Sequence, residues 1–195
     1  SNTTASNNTA VGKDSLKATT TGASNTAVGS GALFTNTTGA QNTSVGLNSM
    51  CKNTEGASNV GIGVLALSCN TTANYNTAVG EKSVWKNTTG ANQVGIGYQA
   101  LTANTTGGGN TAIGYVALCA NTEGADNTAL GTAGIQVTTG SGNLLLGNDA
   151  GRTGSPGGAI TTANHTIVLG DENIGAAHIQ VDWTVASDQR DKTDF

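Results

Sequence analysis

Aliphatic residues recur along this chain with a spacing of 17 residues, and each stands directly before a glycine. The glycines of this first series are Gly12, Gly29, Gly46, Gly63, Gly80, Gly97, Gly114 and Gly131, followed at altered spacing by Gly147 and Gly170. The residues before them form a first ladder of Val11, Val28, Val45, Ile62, Val79, Ile96, Ile113, Leu130 and Leu146. A second ladder, four residues after each glycine, comprises Leu16, Leu33, Met50, Leu67, Val84, Leu101, Leu118 and Ile135. One such repeat cannot bury an apolar face alone, so the period predicts a stack of similar coils.

The short apolar runs within each repeat predict β-strands rather than helices, because they are four or five residues long and bounded by glycine and asparagine. We expect two strands per repeat, and hence two parallel sheets. Beside the first ladder stand small residues, namely Ala10, Ala27, Ser44, Gly61, Ala78, Gly95, Ala112 and Ala129. Small residues also precede the second ladder, at Ser15, Ala32, Ser49, Ala66, Ser83, Ala100 and Ala117. Since strand side chains alternate between faces, we expect the ladders to fill the core and the small residues to face a neighbouring chain.

Asparagine and a second glycine series mark the turns. One asparagine column comprises Asn8, Asn25, Asn42, Asn59, Asn76, Asn110 and Asn127, and the other Asn36, Asn53, Asn70, Asn87, Asn104 and Asn121. Stacked amides can donate to one neighbour and accept from the next, so both columns are expected to lock the turn register. The second series is Gly22, Gly39, Gly56, Gly90, Gly107, Gly124 and Gly140, with Ala73 as the exception. We expect these glycines to have positive φ.

The pattern as a whole predicts an all-β fold, a parallel β-solenoid or β-roll of about nine coils of 17 residues. Two aliphatic side chains per coil make a thin core, so we expect an intertwined homotrimer. We divide the chain into a repeat solenoid over 1–147, an irregular β-rich cap over 148–186 and a different segment over 187–195. The first repeat starts close to Ser1, and we expect the chain to be part of a longer protein.

Composition and charge argue against several functions. With 29 glycines among 195 residues the chain is unlike a helical or doubly wound enzyme, and with a net charge of -4 it has no basic field for nucleic acid. The longest apolar run is too short to insert into a membrane as a helix. Cys51, Cys69 and Cys119 have no metal-ligand spacing. We expect no cofactor, no metal site and no enzymatic turnover.

The repeat Asn-Thr-Ala-Val-Gly-x-x-Ala-Leu-x-x-Asn-Thr-Thr-Gly resembles the head repeats of trimeric autotransporter adhesins and the shafts of bacteriophage tail fibres. The resemblance covers about residues 7–147. In those heads a shorter repeat builds a left-handed parallel β-roll, three of which pack together. The resemblance therefore implies a homotrimer.

The last residues, from Trp183 to Phe195, resemble the junction between tail-fibre or tailspike proteins and an endosialidase-type intramolecular chaperone. That chaperone begins with Ser-Asp-x-Arg-x-Lys, assembles the trimer and is released by self-cleavage. The resemblance implies that residues 187–195 are the start of a truncated C-terminal chaperone domain. It also implies that Ser187 is the nucleophile, that Lys192 activates it, and that the cut is made after Ala186. This chain has Asp191 where the family commonly has leucine.

Positions that vary between repeats are the candidates for receptor contact. They include Lys82, Trp85 and Lys86, which form the densest cluster, together with Tyr98 and Tyr115. Aromatic side chains on a rod surface suit contact with carbohydrate or protein, and burial between subunits is the alternative.

The predicted function is a trimeric rod of a phage or phage-like injection device, located in the virion tail fibre outside the host cell. It would join the upstream fibre and bind a host-surface glycan or protein. The alternative is the head of a bacterial trimeric surface adhesin on the outer surface of the cell. An ice-binding solenoid and a glycan-cleaving tailspike rank below these, because the threonine columns fall on separate segments and the repeats hold few carboxylates.

Overall fold

A computed structural model describes residues 4–155 and 157–175 of the chain. Each coil contributes one strand of three residues. The strands are β1 (Thr9–Val11), β2 (Thr26–Val28), β3 (Thr43–Val45), β4 (Val60–Ile62), β5 (Thr77–Val79), β6 (Val94–Ile96), β7 (Thr111–Ile113), β8 (Thr128–Leu130), β9 (Leu144–Leu146) and β10 (Ile167–Leu169). The result is an all-β parallel solenoid of about eight turns of 17 residues, with no helix in the described part of the chain.

All ten strands belong to one parallel sheet, ordered β1 to β10 along the chain. Equivalent residues of successive coils pair directly, as Thr26 does with Thr43 and Val28 with Val45. At about 4.8 Å per coil, the sheet is about 43 Å long from the first strand to the tenth. The stacking predicted from the 17-residue period is confirmed.

The expectation of a second strand in each repeat is wrong. The residues after each first-series glycine form a turn segment, in which two residues per coil have left-handed φ. In the coil that contains Leu101, Gln99 has φ 55° and Leu101 has φ 54°. Left-handed residues cannot continue a strand, so the backbone curls and directs the second-ladder side chain inward. Leucine is a poor left-handed residue, which is why the sequence pattern does not reveal this turn.

The second ladder forms the core, as predicted. Its buried members are Leu16, Leu33, Met50, Leu67, Val84, Leu101 and Leu118. The small residues pack against it from both sides, and Ala27, Ser44, Ala78, Ala112 and Ala129 are all fully buried. The expected exposed small face is therefore wrong, because these residues line the interior of a single chain.

The sequence pattern predicts that the first ladder lies in the core, but this prediction is wrong, because the ladder lies on the outside of the sheet. Ile62, Ile113 and Leu130 are 40%, 38% and 40% exposed, although each stands beside a buried small residue. The solenoid is too narrow to hold aliphatic side chains from both the strand and the turn segment. The strand therefore turns its small central residue inward and its larger neighbours outward.

Glycine is required at different positions from those predicted. The first series has positive φ, for example 134° at Gly29 and 130° at Gly97, where a side chain would be strained. The second series does not have positive φ. A Cβ added at Gly39 would instead collide with the Gly56 carbonyl of the next coil. Ordinary φ in this column is compatible with alanine at position 73.

Both asparagine columns are buried and linked from coil to coil, which confirms their predicted role. In the first column, the Asn42 backbone N–H donates to Asn25 Oδ1 at 2.9 Å, while Asn42 Nδ2 donates to the Gly56 carbonyl at 2.8 Å. In the second, Asn53 Nδ2 donates to Asn36 Oδ1 at 2.8 Å. The amides form hydrogen bonds with backbone groups in the turns, which have no partner in the sheet.

The packing changes after Leu118. Gly134 occupies the next position of the second ladder, and Leu145 fills the space from the strand side. Ile135, predicted as a ladder member, is only partly buried, whereas Val137 is fully buried. The coil between β9 and β10 is longer, yet β10 still pairs in parallel with β9, so the sheet continues beyond residue 147.

Candidate functional site

The predicted cluster at residues 82–86 is present and organised around Trp85, a half-buried residue of the turn segment after β5. Lys82 Nζ lies 5.9 Å from the centre of the indole, and Lys86 Nζ lies 5.7 Å from it. Both ammonium groups are therefore within cation–π range of one ring. We refer to Lys82, Trp85 and Lys86 as the Lys-Trp patch.

Turn geometry positions both lysines. Lys82 is left-handed at φ 54°, and the buried Val84 between the two lysines anchors the segment in the core. Lys82 Nζ also lies 3.8 Å from a carboxylate oxygen of Glu81, a long and exposed ion pair. Among the described residues, Lys86 forms no ion pair.

Tyr98 and Tyr115 occupy equivalent positions in successive coils and stack on each other. Their ring centres lie 5.6 Å apart with planes inclined by 10°, and the two residues are 41% and 62% exposed. The Tyr98 hydroxyl accepts a hydrogen bond from Gln99 Nε2. We refer to these two residues as the tyrosine pair. Glu81 precedes Tyr98 in the same column, so the tyrosine pair adjoins the coil that carries the Lys-Trp patch.

The outer face of the sheet carries the feature that sequence reasoning missed. The first ladder continues along it through Leu169 of β10 as an outer aliphatic column of Val11, Val28, Val45, Ile62, Val79, Ile96, Ile113, Leu130, Leu146 and Leu169. A second column beside it consists of Thr9, Thr26, Thr43, Val60, Thr77, Val94, Thr111, Thr128, Leu144 and Ile167. An apolar strip on a regular sheet is the kind of surface that marks an interface.

The sequence contained a signal for this orientation. The central residue of the strand is glycine instead of alanine at Gly61 and Gly95. The second-ladder residues packed against these two positions are Met50 and Val84, where most coils have leucine. An added Cβ would lie 2.8 Å from Met50 Cγ at Gly61 and 2.5 Å from Val84 Cγ2 at Gly95. The central strand residue therefore packs against the core, and its two neighbours must point outward.

Threonine is abundant, but one of its two ranks is committed to the fold. In this rank, the hydroxyls of Thr37, Thr54 and Thr88 each donate to a threonine carbonyl of the next coil, at 3.0 to 3.1 Å. The other rank lies on the strands, on a different part of the coil. A flat ice-binding face would present two adjacent ranks of free hydroxyls. These two threonine ranks do not form such a face.

The cysteines are free thiols at partly buried positions. Cys51 Sγ lies 3.2 Å from Ser68 Oγ of the next coil. Burial raises the pKa of the Cys119 thiol and is only partly opposed by a backbone hydrogen bond. A raised pKa disfavours the thiolate, so Cys119 has little nucleophilic character.

Other site chemistry is sparse within residues 4–155 and 157–175. No group of three or more His, Cys, Asp and Glu residues there could hold a metal ion, and no helix there is long and apolar enough to cross a membrane. Near the end of the described region, Arg152 pairs with Asp149 at 2.8 Å beside Gln136 and Glu172. Hydrogen bonds from Asn173 lower the pKa of Asp171. Ser187 and Lys192, with the predicted cut after Ala186, lie outside the described residues.

The structure defines the class of protein as a parallel β-solenoid built from a 17-residue repeat. No protein-family model, curated protein or solved structure matches the chain.

Proposed function

We propose that this chain is a rod segment of a phage tail fibre, or of a related injection device, that assembles as a homotrimer and mediates attachment to a host cell. The observation that carries the proposal is the outer aliphatic column. Ten strands present an aliphatic residue at the same position on one face, and exposing these residues to water contributes nothing to the stability of an isolated solenoid.

The partner that best fits this column is another copy of the chain. The aliphatic residues of the column repeat every ~4.8 Å, so they pack best against a surface whose side chains repeat at the same distance. A second copy of the solenoid has this spacing because its coils are identical. The central members illustrate the fit: Ile62, Ile96 and Ile113 each leave more than a third of their surface exposed. Three copies, rather than two, are inferred from the resemblance of the repeat to trimeric fibres and adhesin heads.

Trimer formation would leave other faces free. The strand face would be covered, whereas the turn segments that hold the Lys-Trp patch lie on a different part of the coil. A stiff rod with a regular interface and variable turn positions is suited to presenting a receptor-binding surface. The upstream part of the fibre and a host-surface glycan or protein are the partners that this function requires.

The head of a bacterial trimeric adhesin is the second candidate, since the same repeat supports it. The two candidates differ at the C-terminal end of the rod: the tail-fibre proposal requires self-cleavage before Ser187, and an adhesin does not.

Mass spectrometry of the product of the native gene, expressed from its own start to its own stop codon, separates them. The tail-fibre proposal predicts a mature fragment that ends at Ala186 and an uncut product from the Ser187→Ala variant. An uncut product from both genes would contradict self-processing and favour the adhesin.

A further inference from the structure

The Lys-Trp patch places two ammonium groups beside one aromatic ring. The chain as a whole has a net charge of -4, yet over the three coils spanning residues 63–113 the only charged residues are Glu81, Lys82 and Lys86. With two lysines and one glutamate, these coils carry a net positive charge although the chain as a whole is negative. Lys52 occupies the same column as Lys86, two coils and about 10 Å away, and adds a third ammonium group to that side of the rod.

Both lysines lie against the Trp85 ring, and the ion pair from Lys82 to Glu81 is long, at 3.8 Å. A cation–π contact to Trp85 fixes the direction of an ammonium group but leaves its N–H groups available to an acceptor. Since each Nζ lies within 6 Å of the same ring centre, the two are at most ~12 Å apart. This arrangement can bind two anionic groups on one extended ligand, or one group between the lysines.

The tyrosine pair supplies a second kind of contact next to these charges. The backbone N–H of Gln99 donates to the Glu81 carbonyl at 3.0 Å, so the coil that contains Tyr98 packs directly on the coil that carries the Lys-Trp patch. Tyr98 and Tyr115 together present exposed aromatic surface with hydroxyl groups at its edge. Such surfaces bind the apolar faces and hydroxyl groups of sugar rings.

We propose that the Lys-Trp patch and the tyrosine pair form one binding surface for an anionic polysaccharide, with its acidic groups at Lys82 and Lys86 and its sugar rings against Tyr98 and Tyr115. This inference rests on the proposed attachment function and specifies the chemical class of the receptor.

Two other anionic partners fit less well. Nucleic acid presents a dense row of phosphates, and two or three lysines on a chain of net charge -4 cannot balance many of them. A membrane surface requires a longer basic cluster or an apolar insertion element, and Trp85 is half-buried between its lysines. A polysaccharide with spaced charges matches both the ammonium groups and the aromatic pair.

The test measures binding of the full chain to immobilised polygalacturonate, a carboxylated polysaccharide, and to neutral dextran. The Lys82→Gln/Lys86→Gln variant removes the proposed anion contacts. Lys13→Gln/Lys17→Gln is a matched control, because it removes the same charge and also takes a lysine from an aromatic ring, that of Phe34. The Tyr98→Ala/Tyr115→Ala variant removes the stacking surface.

We expect the wild type to bind polygalacturonate and not dextran, with affinity about tenfold weaker in the Lys82/Lys86 variant. The tyrosine variant should also bind more weakly, and the Lys13/Lys17 control should bind like the wild type. Three results would overturn the inference: no binding of the wild type, equal loss in the Lys13/Lys17 control, or stronger binding to vesicles containing phosphatidylserine than to polygalacturonate. Each of these three results is compatible with a trimer that attaches to cells through another ligand. They would therefore contradict the polysaccharide site without contradicting the proposed attachment function.

Discussion

At the scale of single residues, the fold depends on pairs of positions that change together. Most coils combine a leucine in the turn segment with an alanine in the strand, as Leu101 does with Ala112. Val84 carries a branch at Cβ that reaches toward the strand, and its partner position is Gly95. The two positions are therefore coupled by a local steric contact, because the Cβ branch of Val84 occupies the space that an alanine Cβ at position 95 would need.

Gly95→Ala tests this pairing, because its new Cβ would lie 2.5 Å from Val84 Cγ2. We expect a loss of about 1 to 3 kcal/mol in the free energy of unfolding, measured by urea denaturation at fixed protein concentration. The Val84→Leu/Gly95→Ala double variant recreates the combination of Leu16 with Ala27 and should recover the loss. An unchanged stability of Gly95→Ala alone would show that the pair is not coupled.

At the scale of the coil, regularity comes from the stacked amides, and the first column is interrupted where its residue type changes. Gln93 replaces asparagine in the first column. Its longer side chain still donates through Nε2 to the Gly107 carbonyl, but its Oε1 has no partner, and neither does Asn76 Nδ2. A buried polar atom without a partner destabilises a fold by about 1 to 3 kcal/mol.

Gln93→Asn is expected to raise the free energy of unfolding by about 1 to 2 kcal/mol, because asparagine restores the spacing seen at Asn42 and Asn59. Thermal unfolding followed by circular dichroism measures the change. The reverse substitution, Asn59→Gln, should introduce the same defect and lower the melting temperature. If Gln93→Asn lowers stability, the amide column does not set the register.

The sequence predicted the coil better than it predicted the path of the chain within the coil. The 17-residue period, the inward second ladder and the asparagine columns could be inferred from spacing and side-chain chemistry. The second strand and the inward first ladder were wrong because Leu67 and Leu101 have left-handed φ, which no propensity scale assigns to leucine. Of the candidate site, the sequence identified Trp85 and its lysines, but the Thr-x-Val alternation alone does not reveal which face is inside.

At the scale of the molecule, the proposed function assigns the oligomeric state of the protein to the outer aliphatic column. The interior of each coil is filled mainly by one large side chain and its small neighbours, whereas a regular apolar strip remains on the outside. Three strips brought together would give the rod the shared core that a single narrow solenoid lacks. The Lys-Trp patch and the tyrosine pair would then project from an assembly that presents three copies of each.

Sedimentation equilibrium of the purified chain tests this central claim most directly. The account predicts a particle of three times 19.2 kDa, with assembly lost in the Ile62→Lys/Ile96→Lys variant. A Thr38→Lys/Thr89→Lys control adds the same charge at exposed turn positions and should remain trimeric. A well-folded wild-type monomer of 19.2 kDa, or full assembly of the Ile62/Ile96 variant, would contradict the account.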